Sequence, residues 1–213
     1  MPPQQAGSFG AFQVPDFRIL FVGTIFSSTA FFMSTIVQSI VAFELTGLNG
    51  AVGIAVFGQG LGMFLCGPLG GAYADRLPKR RVIATGQTVS ALSLATLGAL
   101  YSTGRVEIIH LAINSFVMGA AFGFTGPARQ ALVIDLVPES LRGNAMTLTN
   151  VSNTTSRLLG PALAGILVGI ESLGASVAYW TMSTLYLSSV AHPRPATRCR
   201  QGRSRADHTG GCT

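Results

Sequence analysis

Charge is what this chain has least of. Only 10% of its 213 residues are Asp, Glu, Lys or Arg, against roughly 25% in soluble domains. Cysteine is scarce too. Cys66, Cys199 and Cys212 form neither a disulfide framework nor a metal-ligand spacing, and Cys66 reads as a small apolar filler inside a hydrophobic run. Acids are missing from the middle of every long apolar run; Asp75, Asp135 and Glu139 all fall at run ends. That is unusual for a proton-coupled machine, which needs a titratable group in its path. The N-terminus also lacks the basic, apolar, small-residue order of a cleaved signal peptide, so the first run is expected to stay.

What is present is hydrophobic sequence, 48% of the chain, with a mean hydropathy of +0.49. The chain is expected to be an integral membrane protein that meets the lipid bilayer. Its net charge of +6 could suggest nucleic acid, but the cations cluster between apolar runs and at the C-terminus, and nothing resembles a nucleic-acid module. No cofactor or metal site is expected.

A spanning helix needs about 20 mostly apolar residues. Six segments qualify: 18–43, 51–73, 82–102, 106–126, 145–170 and 173–191. The expected fold is therefore an all-α six-helix bundle over 18–191, preceded by a short polar segment, 1–17, and followed by a basic tail, 192–213. Pro127 is expected to close the fourth run. Ala128 to Val137, bracketed by Pro127 and Pro138, then reads as a short helix along the membrane face, with Leu132, Val133 and Leu136 turned toward the bundle.

Cation placement orients the bundle. Arg18, then Arg76, Lys79, Arg80 and Arg81, then Arg129 and Arg142, then Arg194, Arg198, Arg200, Arg203 and Arg205 all fall on one side. The other side holds Arg105 alone, and Arg157 lies within a run. Both termini are expected to be cytoplasmic in the cell membrane.

Arg157 is the sharpest residue. It lies about 18 Å along the fifth run, where a cation is costly unless water or a counter-charge reaches it. Asn150, Asn153, Thr154 and Arg157 recur at helical spacing and make one polar face. Gly160 and Pro161 follow, a pair expected to break the fifth helix and give a kink or hinge. A weaker stripe, Ser27, Ser34, Thr35 and Gln38, marks the first run, though hydroxyls in membrane helices often bond their own backbone. The candidate path is thus Gln38, Asn150, Asn153, Arg157, Gly160 and Pro161. Gln59, Gln87 and Asn114 either line that path or join helices. Glycine pairs at four-residue spacing, Gly58 and Gly62, Gly67 and Gly71, Gly119 and Gly123, Gly165 and Gly169, fit close helix approach.

The hinge Gly71-Ala-Tyr-Ala-Asp75-Arg76-Leu-Pro-Lys79-Arg80-Arg81 resembles the loop motif Gly-x-Leu-Ala-Asp-Arg-x-Gly-Arg-Arg of major facilitator superfamily transporters. Gly71, Asp75, Arg76, Lys79 and Arg80 match in place; Tyr73 replaces the leucine and Pro78 the second glycine. The stretch Arg157 to Gly165 resembles the family's antiporter motif built around Gly-Pro, with one extra residue before the later glycine. Gly126 to Leu132, followed by Asp135 to Pro138, is similar to the siderophore and multidrug exporter branch. The resemblance covers residues 15–191. It implies the N-terminal half of a twelve-helix transporter, working by alternating access in efflux of a small organic substrate, with protons as a candidate coupling ion. It implies that the Gly71–Arg81 loop gates, pairing with helices of the other half. The partner would be a missing second half or a second copy. The tail reads either as a basic segment on anionic lipid or as a truncation or frameshift product; the second is preferred, because transporter-like sequence stops near Ala191. Two rivals belong to other classes. A six-helix channel would need a pore-lining ring or re-entrant loop. An intramembrane protease could use His110 and Asn114, but lacks the serine motif at Gly174-Ala-Ser176-Val177.

Overall fold

The computed structural model describes residues 10–74, 77–169 and 174–191. Six helices account for most of them: α1 (Pro15–Thr46), α2 (Asn49–Ala74), α3 (Lys79–Ser102), α4 (Ile108–Leu136), α5 (Arg142–Gly169) and α6 (Gly174–Ala191). Short 3₁₀ turns at Gly10–Gln13 and Glu139–Leu141 precede α1 and α5. Among the described residues there is no strand. The tail 192–213 and the loop residues Asp75, Arg76 and Glu171 lie outside the described residues.

Local chemistry sets the ends. Pro15 occupies the first turn of α1, where its missing N–H is no loss, and Asp16 complements the positive end of the helix. The helix therefore begins three residues before the expected span and takes Arg18 inside it. Gly47, with φ 66°, closes α1 by donating its N–H to the Phe43 carbonyl at 2.7 Å. Glu107 and His110 form a reciprocal capping box at the start of α4. That gives His110 a helix-capping role.

The fourth helix differs from expectation. It runs unbroken through Pro127 to Leu136, so Ala128–Val137 is not a separate surface helix. Proline costs one backbone hydrogen bond, but packed neighbours restore continuity in membrane helices. Here Ala128 and Leu132 pack on Ile83 of α3, and Val133 packs with Phe17 of α1. Leu132 and Val133 do face the bundle. Pro161 likewise sits inside a continuous α5 rather than at a break.

α1 runs through the bundle against α5 and α6, α3 packs on α4 and α6, and α2 lies along α4. The α2–α4 seam is glycine-built. A β-carbon on Gly58 would lie 3.0 Å from the Ala112 carbonyl oxygen, and one on Gly70 2.6 Å from that of Gly123. On Gly62 or Gly119 it would collide with the backbone of Phe116 or Gln59. A β-carbon on Gly165 or Gly169, by contrast, would meet nothing within 4 Å, so among the described residues that pair makes no such seam.

Polarity is inverted relative to a soluble domain. Ser27, Ser28, Ser34, Gln38, Ser90, Asn114 and Ser115 are buried, while Phe57 and Phe64 of α2 are 67% and 76% exposed. Buried hydroxyls and amides hold helices together where apolar contact with lipid gives no net drive. Four helices, α1 to α4, are long and apolar enough to cross a membrane. α5 carries the polar face around Arg157, and α6 has 18 residues.

Candidate functional site

The seam between α1 and α5 is polar along its length. Ser28 Oγ donates to Asn153 Oδ1 at 3.0 Å, and Thr29 Oγ1 to Ser156 Oγ at 3.2 Å. Further along, Gly160 lets the α1 backbone approach; a β-carbon there would sit 2.9 Å from the Met33 nitrogen. Gly160 therefore packs helices rather than facing open space. Next to this seam, α5 turns Asn150, Thr154 and Arg157 outward, and all three are exposed.

Arg157 stands fifteen residues into α5, about 22 Å from its start. Its guanidinium lies 5.3 Å from the centroid of the Phe32 ring. Among the described residues no carboxylate pairs with it. An exposed cation–π contact is worth roughly 0.5–1 kcal/mol. Placing arginine at the centre of a bilayer costs about 2.5–3.5 kcal/mol on insertion scales. Phe32 alone does not offset a cost of that size.

Gln38 does not share the open face. It is buried, and its Oε1 accepts a hydrogen bond from Ser115 of α4. The other intramembrane amides also join helices. Thr35 donates to Gln59 Oε1 at 3.1 Å, Gln87 Nε2 donates to Ser189 at 3.0 Å, and Ser93 donates to Asn114 Oδ1 at 2.5 Å. Of the remaining path candidates, Asn153 faces α1 and Pro161 is half-buried.

Of the five loop-motif residues, Gly71 lies in the last turn of α2, and a β-carbon there would meet none of the described residues within 4 Å. Lys79 and Arg80 open α3 and both find acids on neighbouring helices. Lys79 Nζ is 2.6 Å from Asp135 of α4, and Arg80 Nη2 is 3.6 Å from Asp16 of α1. Arg142 reaches Glu139 at 3.8 Å, one turn away. Three helices are thus clasped at one end of the bundle by cations from the hinge. Sequence reasoning missed these partners, because the acids are 56 and 64 positions distant along the chain.

It also misplaced Arg129. Counted among loop cations, Arg129 instead lies on α4 with its side chain between helices, and its Nη2 donates to Ser27 of α1 at 3.0 Å. The signal was in the spacing: Thr125, Ala128, Arg129 and Leu132 fall on one helical face, and that face is inward.

A family model described as Major Facilitator Superfamily matches residues 20–203. Among curated proteins, an uncharacterized MFS-type transporter, YfiS of Bacillus subtilis (strain 168), is 24% identical over 72% of this chain and 36% of its own length. The multidrug resistance protein MdtH of Salmonella paratyphi B is 31% identical over 52% of this chain and 25% of its own length. MdtH of Salmonella newport matches to the same extent. The matched part thus spans between a quarter and about a third of these relatives.

Proposed function

This chain belongs to the Major Facilitator Superfamily, and from that membership we propose that it is a six-helix half of a transporter exporting small amphipathic organic molecules by alternating access. The observation that carries the reading is the open polar face of α5. Arg157, Asn150 and Thr154 are exposed together on α5, and an α5 that crosses the bilayer would need an aqueous path along that face. A multidrug resistance protein among the relatives supports export of amphipathic molecules.

In this reading all six helices cross the bilayer with both termini cytoplasmic, as the cation asymmetry favours. Asn150, Asn153 and Arg157 line the path, and Gly160 and Pro161 shape the helix that carries them. Gln38 is left out, because Ser115 already holds its acceptor oxygen. Gly71, Asp75, Arg76, Lys79 and Arg80 form the gate; Lys79 and Arg80 have acid partners that could exchange as the gate moves. A second six-helix bundle, in the same polypeptide or a second copy, covers the open face of α5. The path has no deep acid, so proton coupling would fall to acids at the bundle end, Asp16 and Asp135 first.

The test is accumulation of an uncharged amphipathic dye in efflux-deficient cells expressing the full chain. Lower accumulation is expected, with the effect lost in Arg157→Gln. Equal accumulation with and without the chain overturns export. A six-helix channel would equilibrate the dye and never deplete it.

A further inference from the structure

Arg129 presents a different problem from Arg157. It is half-buried, on the side of α4 that faces α1, α3 and α6. One of its donors is used on Ser27 at 3.0 Å. Its Nε is shut off from solvent and has no hydrogen-bond partner. Among the described residues no carboxylate lies within ion-pair distance of it. A guanidinium with its Nε shut off and unpaired is costly, and a partly buried cation without a counter-charge beside it calls for one.

Space for a counter-ion is present. A cavity of about 80 Å³ lies between α1, α3, α4 and α6, with Arg129 in its wall beside Thr24, Gln87 and Ser189, and Asp16 and Arg80 also in its lining. On its other side Arg129 borders a void of only about 10 Å³, next to Ser90 and Tyr186, where at most one water fits. The larger cavity accepts an ion with several waters. Its ionisable lining is Asp16, Arg80 and Arg129. Asp16 and Arg80 stand 3.6 Å apart and balance each other, so the wall carries one net positive charge. Gln87 has a second amide hydrogen beyond the one given to Ser189. The hydroxyls of Thr24 and Ser189 spend their hydrogens on the Leu20 and Gly23 carbonyls, so the donors left for an anion are those of Arg129 and Gln87, and the single charge of Arg129 matches a single anion.

We propose that this cavity is a binding site for one small monovalent anion of about chloride's size, held by Arg129 and distinct from the open face of α5. The anion sits among α1, α3, α4 and α6 and ties the four together at the end where Lys79 and Arg80 clasp their acids. It acts as a structural counter-ion inside the half, independent of which molecule the path carries.

Chloride is the probe. The full chain, purified and placed in nanodiscs of neutral lipid, is titrated while the ³⁵Cl resonance is followed. A saturable broadening with one site per chain is expected. Arg157→Gln should leave it unchanged, and Arg129→Gln should weaken it at least tenfold. A wild-type chain without a saturable component, or an Arg129→Gln variant that retains it, overturns the proposal. Where Arg129→Gln fails to fold, a bromide-soaked wild-type structure decides instead. Anomalous density beside Arg129 supports the site; density elsewhere only, or water alone at Arg129, overturns it.

Discussion

Gly119 has no room for a side chain. A β-carbon there would fall on the backbone of Gln59 in α2, and backbone cannot swing aside as a side-chain tip can. Gly119→Ala should therefore destabilise the bundle by about 1–3 kcal/mol, the usual range for overpacking. Gly53, on the same two-helix pair, has nothing within reach. Gly53→Ala should be neutral or gain up to about 1 kcal/mol from helix propensity. Thermal unfolding of the two variants in one detergent checks the contrast; equal shifts would mean that backbone approach does not set the α2–α4 seam. The four-residue spacing of Gly58, Gly62, Gly119 and Gly123 made this seam legible in the sequence. The same spacing at Gly165 and Gly169 meant nothing structurally, because spacing shows that a face is small, not that another helix lies on it. Arg157 was legible for a different reason: a cation inside an apolar run has few inexpensive positions. Since no described carboxylate pairs with it and its cation–π contact is with the Phe32 ring, Arg157→Gln should shift stability by no more than about 1 kcal/mol, while losing the dye effect. A large loss of stability would make it a structural residue instead.

At the scale of elements, helix number and order followed from run length and from the breakers between runs. Gly47 and Gly104 both adopt positive φ where the sequence marks breaks. Proline was the less faithful guide. Pro127 and Pro161 sit inside α4 and α5, since the loss of one backbone bond is small beside the burial of Ala128, Leu132 and Val133 that continuation allows. Extending α4 is also what carries Asp135 to Lys79 and Arg129 to Ser27. An early stop at Pro127 hid both contacts, so the candidate site was read with its clasp missing. The Lys79–Asp135 pair joins the start of α3 to the end of α4, with Asp135 more than half exposed. Exposed pairs are worth roughly 0.2–1 kcal/mol. A double-mutant cycle of Lys79→Met and Asp135→Asn should give a coupling within that range, shrinking in high salt. A coupling of several kcal/mol would instead mark the pair as a main strut of the bundle.

For the whole molecule, the decisive pattern is a polar interior within an apolar exterior. Hydroxyls and amides bridge α1 to α5, α3 to α6 and α3 to α4, while α2 presents Phe57, Phe64 and Leu69 outward. In water this arrangement would expose more apolar surface than a monomer tolerates; in lipid that surface needs no cover. The direction of insertion then rests on charge. Lys79, Arg80 and Arg81 lie at one end of the helices and Arg105 at the other, because α3 runs from Lys79 to Ser102 between them. Moving a short basic loop across the membrane is disfavoured, so the Lys79 end should stay in the cytoplasm. The test uses single cysteines at Arg81, the start of α3, and at Arg105, in a background with Cys66, Cys199 and Cys212 changed to serine. Intact cells are treated with a membrane-impermeant maleimide. Arg105→Cys should label from outside and Arg81→Cys only after lysis. The reverse pattern would invert the bundle and move the clasp of Lys79 and Arg80 to the outer face. Labelling of both from outside would mean that α3 does not span at all, and the six-span reading would fall with it.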